Sequence, residues 1–120
     1  MTLNYAILLF SGLFIGIAAS FTGLGGGFLM VPLLIALGYT AQKAVGTSFL
    51  AILIISASAV FAHSKLANVD FKIALALGIG GIIGAQIGPH LLEHVSTASF
   101  KKIFSFVLVA LAGYLFFSKT

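Results

Sequence analysis

TGLGGGFLMVP, residues 22–32, decides how this chain folds. Four glycines occupy positions 23, 25, 26 and 27, inside a run from residue 5 to residue 37 that carries no charge. A glycine in a helix interior costs about 1 kcal/mol relative to alanine, so the cluster predicts an opened or broken helix. In a bilayer, broken backbone persists only where protein or a water-filled cavity surrounds it. Breaks of this kind are where many transporters hold their substrates.

The rest of the chain places that break in a membrane. Its 120 residues are 61% hydrophobic and 7% charged, with a mean hydropathy of +1.24. A soluble domain carries about 25% charged residues. The composition predicts a single membrane domain, residues 1–120, with the lipid bilayer as its first partner. There is no cysteine, hence no disulfide framework and no thiolate metal site. The net charge of +4 comes from six lysines against Asp70 and Glu93. They are scattered over loops and the C-terminus instead of forming one basic face, which argues against a nucleic-acid partner. Residues 5–17 have the length of a signal-peptide core and residues 18–20 the small residues of a cleavage site. No Lys or Arg precedes them, so the segment is expected to stay.

Charges and polar clusters divide the chain into apolar segments. Residues 5–21 nearly span a hydrocarbon core of about 30 Å, at about 1.5 Å per helical residue. Residues 25–37 reach only about 20 Å. Residues 44–62 and 71–88 are full spans, and residues 103–117 a short fourth. The loops are residues 38–43, 63–70 and 89–102. This predicts an all-α integral membrane protein of about four transmembrane helices, the first followed by a glycine break and a half-helix. A complete short crossing by residues 25–37 is the competing reading. Gly12, Gly16 and Ser20, and likewise Gly80, Gly84 and Gly88, recur every four residues, as faces that let membrane helices approach closely do. No convincing internal repeat is visible. Lys43, Lys101 and Lys102 fall on one side of the membrane and Lys65, Lys72 and Lys119 on the other. With no bias, orientation is poorly specified, and insertion in both orientations is expected. Four crossings would put both termini on one side.

Several residues are candidates for chemistry. A half-helix starting near Gly25, Gly26 and Gly27 would leave its first amides without intrahelical partners, at the positive end of the helix dipole. Without side chains in the way, an anion can approach them, and Thr22 adds a hydroxyl. A flexible joint or a close helix crossing would use the same glycines. Phe28 stands where a dinucleotide fingerprint needs its third glycine, and no Lys-Ser/Thr follows as in a P-loop. Gly46, Thr47 and Ser48 read as the start of the next helix, with Lys43 just before to attract an anion; a plain helix start is the alternative. His63, beside Ser64 and Lys65, is a possible proton relay or an interfacial side chain. His90 and His94 lack the further ligands a metal needs, so neither metal nor cofactor is expected. No Asp or Glu lies inside a span, and Lys72 stands only at the edge of one, which argues against a proton-coupled cation exporter such as the small multidrug transporters. No nucleophile–base pair is recognisable, so an enzyme is not expected. Gln86 is the one long polar side chain at depth, bonding another helix or lining a path.

The stretch GLGGGFLMVPLLIALGYTAQKAVGTSFLAIL resembles the signature of the TauE/SafE permeases, also called the 4-toluene sulfonate uptake permease family. The resemblance continues through His63, Asn68, Val69 and Asp70 to the span ending GIIGAQIG. It implies a multipass permease of the bacterial cytoplasmic membrane. The substrates it implies are small anions such as sulfite or organosulfonates, carried by alternating access. Members of that family usually have twice this length, in two homologous halves. The chain then equals one half, to be paired as a homodimer or with a sister half-length subunit. Their loop after His63 is often more basic and carries a glycine where this chain has Ala67. A same-sense dimer is expected, although the lysine tie permits an antiparallel one. A non-transporting membrane scaffold or accessory subunit is the alternative to a permease.

Overall fold

The computed structural model describes residues 4–119. Within them lie five helices and no strand: α1 (Tyr5–Thr22), α2 (Gly27–Ala36), α3 (Ala41–Lys65), α4 (Phe71–Leu92) and α5 (Thr97–Phe117). All but α2 are long and apolar enough to cross a membrane. At 10 residues, α2 is about 15 Å long. The expected four spans, glycine break and half-helix are therefore what the chain forms.

Helix ends follow caps and not the edges of apolar runs. Asn4 accepts the Ala6 N–H at 3.0 Å. Thr40, Asp70 and Ser96 accept from the amides of Lys43, Ile73 and Ser99 at 3.3, 3.2 and 3.1 Å. Each side chain satisfies an amide that the first helical turn leaves unbonded. This lengthens three of the expected spans. The helix expected from residue 44 starts at Ala41 and runs to Lys65. α4 continues through Pro89 to Leu92, and α5 begins at Thr97 instead of residue 103. Lysine is a good helix former, so charge marks the lipid boundary without ending the helix.

Hydrogen bonds between helix ends fix the course of the chain. His63, near the end of α3, bonds the Ser20 carbonyl near the end of α1 at 2.9 Å, so these helices run parallel. At the opposite face, the Ala41 N–H donates to Thr97 Oγ1 at 3.0 Å. The Gln42 amide donates to the carbonyls of Leu92 and Val95 at 2.9 and 2.7 Å. Thus α1, α3 and α5 run one way, and α2 and α4 the other. This corrects the expectation that both ends lie on one side. The glycine loop and α2 complete a return traverse although α2 is too short to be a span by itself, so the start of α1 and the end of α5 face opposite sides.

Packing concentrates on α1, α2 and α3. Ile15, Ala19, Met30, Val31, Ala41, Ala44 and Ser48 are buried, and none of the buried residues lies on α4 or α5. Pro32 sits inside α2 without ending it. The small-residue face of α1 points at α3 across a gap of about 430 Å³ lined by Gly12, Gly16 and Ser20. An added Cβ at Gly12 or Gly16 would meet nothing within 4 Å, so the close approach is confined to the end of that face, where the Ser20 carbonyl meets His63. Gln86 stands exposed on α4, bonded among the described residues to no other helix.

Candidate functional site

The site is built around the return from α1 to α2. Gly23 ends α1 in the left-handed conformation, φ +78°, and its N–H donates to the Ala19 carbonyl at 2.8 Å. Gly25 and Gly26 follow with φ of +78° and +86°. Two such residues so close in sequence are accessible to glycine and costly for others. Space closes around them as well. A Cβ on Gly26 would sit 3.1 Å from Ile15 and 3.2 Å from Met30, and one on Gly27 3.4 Å from Ile52. The loop therefore threads between α1 and the middle of α3, and Gly26 is the position where a side chain has no room.

The first turn of α2 is left polar by this path. The amides of Leu29 and Met30 both donate to the Gly26 carbonyl, at 3.1 and 2.9 Å. Among the described residues the N–H groups of Gly25, Gly26, Gly27 and Phe28 make no well-formed hydrogen bond. The helix dipole adds about half a positive charge at the same end. Beside the loop lies a cavity of about 580 Å³. Gly23 and Gly25 form one wall, and Ser20, Ser56, His63, Asn68 and Asp70 supply polar groups on the others. It opens toward the α3–α4 turn.

The other expected residues fall differently. Thr22 directs its hydroxyl proton to the Ala18 carbonyl at 2.7 Å and accepts the Leu24 N–H at 3.3 Å, so its hydroxyl closes the end of α1. Thr47 and Ser48 are not at a helix start, because Thr40 caps α3 seven residues before Thr47. Their amides belong to the helix interior, and neither residue lines the cavity. Ser48 is 2% exposed and its Oγ has no partner among the described residues. Lys43 stands at the face opposite the cavity mouth. His63 Nε2 meets a carbonyl oxygen, which can only accept, so Nε2 carries the proton. Nδ1 accepts from the Asn68 amide at 3.1 Å. Both ring nitrogens are thus engaged in tying α3 to α1 and to the following turn.

Four polar residues of the cavity, Ser20, Ser56, Asn68 and Asp70, were not anticipated as site residues. Ser56 follows Ser48 and Ile52 at four-residue intervals on α3. The helical period would have found it once Ile52 was known to face the glycines. Asp70 lines the cavity from its cap position on α4. A cap signal alone could have been read there, not its neighbour. His90 lies on α4 and not in a loop, and among the described residues no three His, Asp or Glu side chains group as metal ligands.

Comparison with known proteins accords with the architecture. Residues 8–120 match the family model described as sulfite exporter TauE/SafE. A probable membrane transporter protein of Methanocaldococcus jannaschii is 31% identical, covering 91% of this chain and 43% of its own length. The probable membrane transporter protein YunE of Bacillus subtilis is 32% identical over 92% of this chain and 43% of its own. A sulfite exporter TauE/SafE family protein of Arabidopsis thaliana is 31% identical over 89% and 22%. No solved structure matches. The chain thus spans less than half the length of these relatives. Transporter relatives and four membrane-length helices make it a multi-pass membrane protein, and the match over nearly its whole length places it in the TauE/SafE family.

Proposed function

We propose that this chain is a subunit of a permease for small anions, of the class of sulfite or an organosulfonate. It acts by alternating access when paired with a second unit in a bacterial cytoplasmic membrane. The observation that carries the reading is the set of unbonded amides from Gly25 to Phe28, next to the cavity walled by Gly23 and Gly25. An oxyanion accepts hydrogen bonds from several N–H groups at once, and the positive end of α2 favours its charge. The Ser56 hydroxyl is the side-chain donor placed to join them. Asp70 lines the same cavity and repels an anion, so it acts as a charge filter at the mouth.

The test is bulk at Gly27, whose backbone is helical and where an added Cβ would meet only the flexible tip of Ile52, at 3.4 Å. Gly27→Leu lowers anion flux in proteoliposomes at least tenfold while insertion and thermal stability are retained; undiminished flux overturns the site. Asp70→Asn keeps the α4 cap, since Asn caps as well as Asp, and is expected to tighten apparent anion affinity. If it abolishes transport instead, the carboxylate is the working group and the cargo is a cation. A scaffold without transport is the second reading, favoured by Gly26, whose contacts with Ile15 and Met30 account for that glycine without any ligand. Absence of flux for sulfite, sulfonates and unrelated anions in the unmodified protein would favour it.

A further inference from the structure

We infer that α4 is the docking surface for a second copy of this chain inserted the opposite way up, so that the working unit is an inverted pair. This rests on the reading that the chain works as a pair, and not on what the pair carries. Every residue of α4 from Phe71 to Leu91 is exposed. Beyond the helix's own nearby backbone and chain neighbours, no atom of the described residues lies within 4 Å of a Cβ placed on any of its glycines. Between α4 and α3 lies a gap of about 640 Å³, bordered by Gly46 and Phe49 on one side and Gly81, Gly84 and Gly88 on the other. Membrane helices associate through close packing at small residues, and α4 carries the residues for such packing without the neighbour.

Three observations set the orientation of that neighbour. First, the face holding the start of α3 carries Lys43, Lys101, Lys102 and Glu93. The other carries Lys65, Lys72, Lys119 and Asp70. Each face has the same charges, and lysine bias is what fixes orientation. Second, α1, α3 and α5 all run one way, so a second unit joined after α5 would begin at the opposite face and lie inverted. The relatives matched over 43% of their length have room for such a unit in one chain. Two oppositely inserted copies reach the same arrangement with no linker. Third, the start of α2 packs against Ile52, near the middle of α3. A two-fold axis in the membrane plane therefore keeps both α2 N-termini at mid-depth and aims them from opposite sides. Paired half-helices pointing at the midplane are a recurrent way to hold a substrate.

The chain has no cysteine, so introduced thiols report cleanly. Leu77 and Gly88 stand three helical turns apart on the face of α4 that carries Gly81 and Gly84, on either side of its midpoint. In membranes co-expressing Leu77→Cys and Gly88→Cys chains, a short thiol cross-linker is expected to join the two variants to each other. Neither variant is expected to join to itself. Self-linking of each variant without the mixed product means a parallel pair and overturns the inference; no product from inserted protein overturns it too. Separately, His94→Cys and Ser118→Cys, at opposite faces, are each expected to be about half labelled by an impermeant maleimide in intact cells. Full labelling of one and none of the other overturns dual insertion. Neither readout involves an anion, so failure of the permease reading and failure of the inverted pair are told apart.

Discussion

At Gly25, Gly26 and Gly27 an added Cβ would meet a neighbour within 3.6, 3.1 and 3.4 Å; at Gly78, Gly80, Gly81, Gly84 and Gly88 it would meet nothing within 4 Å. The same residue type serves both regions. Before α2 the glycines are already enclosed by α1 and α3, and two of them take a positive φ that the turn requires. Along α4 they line a surface the chain itself leaves open. Hydrophobicity does not distinguish the two, since lipid covers apolar side chains as well as protein does. What differs is whether a partner helix is present. The chain therefore carries one finished interface, between α2 and α3, and one that something else completes.

The largest effect should come from moving one substitution between these regions. Gly26→Leu forces a branched side chain into a left-handed position, at about 1–2 kcal/mol. It also overpacks Ile15 and Met30, at about 1–3 kcal/mol. The purified chain in detergent is expected to lose most of its folded population or a large part of its melting temperature. Gly84→Leu, a change of equal size, is expected to leave the single chain within about 0.5 kcal/mol while abolishing pairing in membranes. Equal melting shifts for the two variants would break the contrast between a closed and an open interface.

Much of this contrast was legible in the sequence, and the missing part has a physical cause. The glycine cluster announced a break because glycine disfavours helix, and the apolar runs announced four spans because a bilayer demands length. Neither signal carries direction. That α2 returns the chain to the face where α3 begins depends on a loop of four residues, 23–26, and reversed the expected placement of the two ends. Helix starts were misplaced because polarity was read where capping decides. Thr40 moved the start of α3 ahead of Gly46 and so took Thr47 and Ser48 out of a terminal position. Ser56 and Asp70 reach the cavity through tertiary approach, which spacing alone does not encode. His63 was visible as a polar residue at a helix end, but its bond to Ser20, 43 residues earlier, was not.

A smaller effect sharpens the finished side of the comparison. Ser48 packs among the residues buried between α2 and α3 with its hydroxyl unpaired. An unsatisfied buried polar group costs about 1–3 kcal/mol. Ser48→Ala removes the oxygen and leaves a small side chain, so it should raise stability by about 1 kcal/mol, seen as a higher melting temperature, with transport unchanged. Lower stability would mean that the hydroxyl has a partner the packed interface conceals. Loss of transport at unchanged stability would return Ser48 to the binding site.

The smallest effect belongs to the joint from which α4 hangs. Ala67 has φ +59°, a conformation that costs a non-glycine residue about 1–2 kcal/mol. Its N–H bonds the Ser64 carbonyl at 3.1 Å, and the Asn68 N–H the His63 carbonyl at 2.9 Å, so the end of α3 holds the turn in place against that strain. Ala67→Gly relieves the strain but loosens the unfolded chain by about 0.4–1 kcal/mol, leaving a net gain of about 0.5 kcal/mol. The expected result is a slightly higher melting temperature and unaltered cross-linking along α4. The far end of α4 is held separately by the bonds from Gln42 to Leu92 and Val95, so a relaxed turn has no freedom to swing the helix. If the glycine variant changes which α4 positions cross-link, the turn and not the partner sets where α4 stands, and the open interface is a matter of angle instead of a missing neighbour.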